Sequence, residues 1–252
     1  PYSISSAFGM VYAGAAGETA AELARALRFG ADPDSVHRGF QEVNEDLAAW
    51  GKSGSVKLSV ANALWGEKSY TFRKEYLDLV ARRYGGGLMP MDFRGAHAAA
   101  RAEINAWVVS RTGGLIKDLL PASAVGSDTK LVLTNAVYFK GDWTEAFDAD
   151  HTRPAPFHKA DGTAERVPLM AATRNWRYAE LEGFQALELP YNGERLGMLV
   201  LLPRSPQGLP KLAAALSGKT LAAWAGSLRE REVRVRFPKF KLETELGLGP
   251  AF

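Results

Sequence analysis

Apolar positions in the first half of the chain recur mostly at helical spacing. Ile4, Phe8 and Val11 are four and three residues apart, with Ala7 and Met10 beside them. They predict a helix that Pro1 opens and Gly14 and Gly17 stop. Thr19 is placed to cap a second helix running through Leu23 and Leu27 to Gly30. A third follows Asp34 on the stripe Val36, Phe40, Val43 and Leu47. Val56, Leu58 and Val60 alternate and predict a half-buried strand reaching Leu64. Tyr76, Leu79, Val80 and Arg83 predict a helix ended by Gly85-Gly86-Gly87. Ile104, Trp107 and Val108 mark another, ended by Gly113-Gly114.

Past residue 128 the period changes. Leu131-Val132-Leu133 and Ala136-Val137-Tyr138-Phe139 form a nearly continuous apolar run, which predicts a strand covered on both faces. Asp161-Gly162 and Asn192-Gly193 sit between strand-like runs and predict hairpin turns, because these residue types tolerate positive φ. Leu196–Leu202 reads as a second buried strand, and a helical stretch is expected over about 208–227. Val233, Val235 and Phe237 alternate on odd positions and Phe240 and Leu242 on even ones, so a bulge or bend is expected at Pro238-Lys239. Helices in front and antiparallel strands behind read as α+β, without the alternation of an α/β chain. No repeat, low-complexity tract or linker divides residues 1–252, which are read as one domain.

Composition narrows the function more than the fold. The chain of 252 residues is 46% hydrophobic and 23% charged, an ordinary globular balance. Its 31 basic and 28 acidic residues give a net charge of +3, spread over both halves, so a nucleic-acid role has little electrostatic support. The absence of cysteine excludes disulfides, thiolate nucleophiles and cysteine-ligated metals. Apolar runs such as Met198–Leu202 are far too short for a membrane helix, which needs about 20 residues.

Motifs for catalysis do not assemble. Gly51-Lys52-Ser53-Gly54 lacks the spacing of a nucleophile elbow and reads as a surface loop. Ser217-Gly218-Lys219-Thr220 resembles the end of a phosphate loop, but Ala213 stands where its first glycine belongs. Of the four histidines, His37, His97, His151 and His158, the last two, with Asp150 and Asp161 nearby, could be imagined as metal ligands, but no third ligand stands at suitable spacing and both read as solvent-facing. Gly85-Gly86-Gly87 does not follow a strand and lacks dinucleotide-loop spacing. The six basic residues between Arg229 and Lys241 read either as a polyanion site or, preferably, as a solvated strand face. Asn135 lies inside an apolar strand, where an unpartnered amide costs roughly 1–3 kcal/mol. It reads as a core amide satisfied by its neighbours, or as a polar latch in a sheet that opens. Trp143, just past that strand, reads as an aromatic covering its end.

Several blocks then resemble one family. Pro1-Tyr2-Ser3-Ile4-Ser5-Ser6-Ala7, Thr19–Leu23, the long segment Leu133–Trp143, Val167–Met170, Glu188–Tyr191, Met198–Pro203 and Arg236–Phe240 are similar to serpins, in family order. The resemblance implies the serpin fold, helices packed around large β-sheets. It also implies a suicide inhibitor of serine and some cysteine proteases rather than an enzyme. In that mechanism the protease attacks an exposed reactive loop, and the loop inserts as a strand into the central sheet. A non-inhibitory binding or chaperone protein on the same fold is the alternative.

By resemblance Ser3 and Asn135 match the shutter beneath the point where the sheet parts, which favours the latch reading of Asn135. Trp143 matches the breach, where insertion begins. The 129–140 strand borders the insertion gap, the 96–112 helix lies across the sheet, and the 233–245 strand is another member of that sheet. The helix over about 34–50 matches the one that binds heparin in some serpins. It carries Glu42, Glu45 and Asp46 with only Arg38 as a fixed cation, so heparin is not expected to bind.

The chain is expected to be an N- and C-terminally truncated, incomplete serpin domain. It would lack the first helix, a helix before Gly247, the reactive loop with its scissile bond, and the last strands. By itself it would not inhibit, and it would fold poorly beside an exposed strand edge. No catalytic residue, metal or cofactor is expected; the intact protein is expected to be monomeric and extracellular.

Overall fold

In a computed structural model of the chain, residues 2–52, 56–159 and 161–242 are described. They fall into two compact units that meet in sequence at Lys140 and Gly141. The Ser53-Gly54 loop, Pro1 and the segment around Gly247 lie outside the described residues.

The first unit runs α1 (Tyr2–Gly14), α2 (Gly17–Leu27), α3 (Pro33–Lys52), β1 (Val56–Glu67), α4 (Lys74–Tyr84), β2 (Gly87–Met91), α5 (Phe93–Arg111) and β3 (Leu131–Gly141). Its strands are ordered β2-β1-β3, with β1 and β2 parallel and Trp65 opposite Met89. β2 had no period of its own in the sequence; five residues containing Pro90 are too few to show one.

The doubly covered strand is β1, not β3. Residues 63–67 are all buried, and alternate side chains enter two different cores. Ala63 and Trp65 join Met91, Phe93, Ala100 and Ile104 beneath α5. Leu64 joins Met10, Val80 and Tyr84 beneath α1 and α4. On β3, Leu131, Val137 and Phe139 remain 36–39% exposed, because β3 ends the sheet among the described residues. The apolar run predicts a strand covered on both faces because local hydrophobicity carries no information on position in a sheet.

Helix boundaries shifted where tertiary packing outweighed local pattern. α1 buries Ser6, Gly9 and Met10 and leaves Val11 43% exposed. Small residues on that face let Tyr84 and Phe40 close in: a Cβ on Gly9 would stand 2.6 Å from the Tyr84 hydroxyl. α2 begins after Ala16 with Thr19 already inside, and it ends at Arg28 in the left-handed region, before Gly30. Asp32, not Asp34, accepts the first backbone N–H groups of α3. Gly85 at φ 65° ends α4 as expected.

α5 starts at Asp92, whose carboxylate accepts the Gly95 N–H at 2.8 Å. The buried Glu67 carboxylate accepts the N–H groups of Phe93 and Arg94 at 2.8 and 3.1 Å. The Ser69 hydroxyl, with these backbone N–H groups, holds the Glu67 pKa below its ordinary value.

The second unit holds β4 (Arg153–His158), β5 (Ala164–Leu181), β6 (Phe184–Pro190), β7 (Gly197–Pro203), α6 (Leu209–Ala214), α7 (Gly218–Ser227) and β8 (Arg229–Pro238). The strands form one sheet, β4-β5-β6-β7, with β8 also on β5. Both expected hairpins are present: His158 faces Ala164 around Gly162 (φ 83°), and Pro190 faces Gly197 around Gly193 (φ 90°). β7 is only part-buried, with Leu202 57% exposed.

The 208–227 stretch is two helices. Ser217 and Thr220 form a reciprocal cap at the start of α7, so the phosphate-loop look-alike is a helix start. β8 corrects two expectations. It pairs antiparallel with β5, Trp176 opposite Arg231, and is no member of the β1–β3 sheet. It also stops at Pro238 without a bulge: Phe240 and Leu242 follow as exposed, non-strand residues, and Glu243–Glu245 lie outside the described residues. Within β8, Val235 is buried while Arg234 and Arg236 are exposed, the solvated-face arrangement. The whole is an α+β architecture.

Candidate functional site

Thr134 and Asn135 are adjacent on β3 and enter different hydrogen-bond systems. Thr134 is buried and accepts the Trp65 indole N–H at 2.9 Å. The Asn135 carbonyl accepts the Ser3 hydroxyl from α1, and its amide donates to the Asn62 carbonyl on β1 at 2.6 Å. Asn62 passes the chain on, donating to the Tyr84 backbone carbonyl at the end of α4 at 2.9 Å. One half-buried amide thus ties β3 to a helix 132 residues away and to a strand 73 residues away.

The chain continues into a fully buried pair. The Tyr84 hydroxyl and His37 Nδ1 share a hydrogen bond of 2.7 Å, with His37 only 4% exposed. Burial pushes the Tyr84 pKa up and the His37 pKa down, so both are neutral near pH 7. Tyr2 closes the cluster by donating to Asn44 at 2.5 Å.

The chemistry available here is exchange of neutral hydrogen bonds. Each contributes about 0.5–1.5 kcal/mol net. Of the sequence-derived candidates, the structure joins Ser3 and Asn135 directly. Asn62, Tyr84 and His37 were not singled out for this role. Asn62 carried the same signal as Asn135, an amide within a strand-like run.

Trp143 has its own setting in the second unit. It stacks on Tyr191 with ring centres 4.6 Å apart and planes 11° apart, and the two residues form a β-bridge. Asp142 O accepts the Asn192 N–H at 2.8 Å and Pro190 O the Thr144 N–H at 2.9 Å, so the backbone on either side is pinned to the β6–β7 turn. The indole packs on the core of Trp176, Leu189 and Val235. His151 lies 3.8 Å from Asp148, and among the described residues no three potential metal ligands gather.

Comparison with known proteins identifies the family. Residues 1–252 match the family described as Serpin (serine protease inhibitor). An uncharacterised serpin-like protein of Thermococcus kodakarensis is 42% identical over 98% of this chain and 57% of its own length. The leukocyte elastase inhibitor of Bos taurus is 42% identical over 98% of this chain and 67% of its own. The structure of emu (Dromaius novaehollandiae) ovalbumin superposes with a TM-score of 0.90 at 31% identity, over 98% of this chain and 68% of that one. The chain therefore spans a little over half to about two thirds of the proteins it matches. With all of residues 1–252 matched by the family, relatives at 42% identity and a shared fold, the chain belongs to the serpin family.

Proposed function

We propose that this chain is the sheet-bearing part of a protease inhibitor that works by strand insertion beside β3. A serine protease, or a cysteine protease of similar reach, attacks an exposed segment of the complete protein. The severed segment then enters the sheet before the acyl-enzyme is hydrolysed. One observation carries the reading: β3 pairs with β1 alone among the described residues, and the Ser3–Asn135–Asn62 chain holds that strand in place. In this reading these residues are the latch that insertion must open, and Trp143, just past β3, stands where entry begins. The protein inhibits and does not catalyse; its native state is a kinetic trap. It acts as an extracellular monomer.

The test uses protein expressed from the complete reading frame. It is mixed with trypsin-, chymotrypsin- and elastase-like serine proteases and with a papain-like cysteine protease, then run on denaturing gels. A covalent complex at the summed mass of the partners is expected with at least one of them. Cleavage without complex by every protease refutes inhibition and leaves a non-inhibitory binding protein on the same fold.

A further inference from the structure

Two hairpin turns carry a residue pair that ends in glycine, and the two pairs differ in chemistry. In the β6–β7 turn Asn192 precedes Gly193, and it is the only asparagine of the chain followed by glycine. Gly193, at φ 90°, fills a turn position that requires positive φ, and the Glu194 N–H closes the turn on Tyr191 O at 2.9 Å. Asn192 and Gly193 are both exposed. Neither the Asn192 side-chain amide nor the Gly193 N–H has a hydrogen-bond partner among the described residues, so the side chain is free to swing its carbonyl carbon toward the Gly193 nitrogen. Glycine has no Cβ to obstruct that approach.

The β4–β5 turn holds the comparable pair Asp161-Gly162, also exposed. There both reacting groups are occupied. Asp161 Oδ1 accepts the Thr163 hydroxyl at 2.6 Å and the Thr163 N–H at 2.9 Å, and the Gly162 N–H donates to Lys159 O at 3.1 Å. The bonds from Thr163 hold the Asp161 pKa below its ordinary value, and an ionised carboxylate is a poor electrophile.

The β6–β7 turn is also what holds Trp143. The Asn192 N–H donates to Asp142 O at 2.8 Å, the Thr144 N–H donates to Pro190 O at 2.9 Å, and the indole between them stacks on Tyr191, the residue before Asn192.

We propose that Asn192 is a site of spontaneous conversion to isoaspartate, and that the conversion loosens the clamp on Trp143. The Gly193 nitrogen bonds to the side-chain carbonyl carbon of Asn192, the bond from that carbon to Nδ2 breaks, and ammonia leaves with the Gly193 proton. Water then opens the succinimide. Attack at the side-chain carbonyl carbon gives aspartate, and attack at the main-chain carbonyl carbon gives isoaspartate. Isoaspartate routes the main chain through the former side chain, lengthens it by one carbon, and places a carboxylate beside Glu194 where a neutral amide stood. The turn then no longer presents the residue-192 N–H and Pro190 O at the spacing that Asp142 and Thr144 require. The chemistry does not depend on protease inhibition.

Protein from the complete reading frame is aged in mildly alkaline buffer and digested. Mass spectrometry reads the change from amide to acid, and methyl transfer by a protein isoaspartyl methyltransferase reads isoaspartate. Peptides containing residue 192 are expected to form isoaspartate at least tenfold faster than peptides containing Asp161 or any other asparagine. The rate should rise with pH, because the Gly193 nitrogen must lose its proton to attack. Hydrogen exchange of residues 142–144 should be at least tenfold faster in the converted fraction than in fresh protein. Asn192→Ser alters an exposed side chain and should keep the parent melting temperature, then age with neither isoaspartate at that turn nor faster exchange. Isoaspartate forming elsewhere as fast as at residue 192, converted protein that exchanges residues 142–144 like fresh protein, or an aged Asn192→Ser variant that loosens as much as the parent would overturn the proposal.

Discussion

Replacing Asn135 by alanine removes both side-chain hydrogen bonds that this residue makes to α1 and β1. The Ser3 hydroxyl loses its acceptor and the Asn62 carbonyl loses its donor. Each lost hydrogen bond costs about 1 kcal/mol net, and a fully buried orphan would cost more. Asn135 is half-buried, so water can reach the site in part, and the expected sum is about 2 kcal/mol. For a protein of this size that lowers the melting temperature by roughly 4–8 °C.

The sharper quantity is the coupling. Ser3→Ala and Asn135→Ala break the same bond, so the double variant should be less destabilised than the sum of the singles by about 1 kcal/mol. Urea unfolding followed by far-ultraviolet circular dichroism measures all four proteins. Rates are recorded alongside midpoints, because a kinetically trapped native state reports through its unfolding rate. Additivity within about 0.3 kcal/mol would refute the latch, since it would mean that the two side chains do not depend on each other.

Three further outcomes are expected. Glu67→Gln lowers the urea midpoint at pH 7. The native Glu67 pKa is depressed, so its contribution is present above about pH 4.3 and lost as pH falls through the native value; the gap between variant and parent should close over that window. Burial, partly opposed by Asp34 and reinforced by Arg83, lowers the His37 pKa from 6.5. Native stability is therefore complete above about pH 6.5 and declines as pH falls through the lower native value, and His37→Gln should flatten that part of the stability profile. Gly9→Ala gains about 1 kcal/mol of helix propensity but forces a methyl to within 2.6 Å of Tyr84 and 2.9 Å of Phe40, so calorimetry should show a net loss against overpacking of about 1–3 kcal/mol.

Much of the site was legible because polar residues in apolar strands are conspicuous. Asn135 stood out for that reason, and the resemblance of Tyr2-Ser3-Ile4 to a serpin block added Ser3. Nothing local distinguishes His37 from the other three histidines. Its burial against Tyr84, 47 residues away, arises only when α3 and α4 pack together. Nothing local marks Glu67, which lies beyond the predicted strand, yet it holds the first N–H groups of α5, 26 and 27 residues ahead.

Local chemistry alone determined the α+β class, the turns at Gly85, Gly162 and Gly193 and most of the helices, because backbone preferences act over a few residues. Tertiary structure decided the face α1 buries, the strand covered on both sides, and the sheet that β8 joins. Those outcomes depend on contacts between distant segments, where shape and the pairing of polar groups outweigh a local hydrophobic count. Asn135 shows the division most plainly: the sequence demanded that its amide find partners, and only the packing of α1 and β1 against β3 determined that they are Ser3 and Asn62.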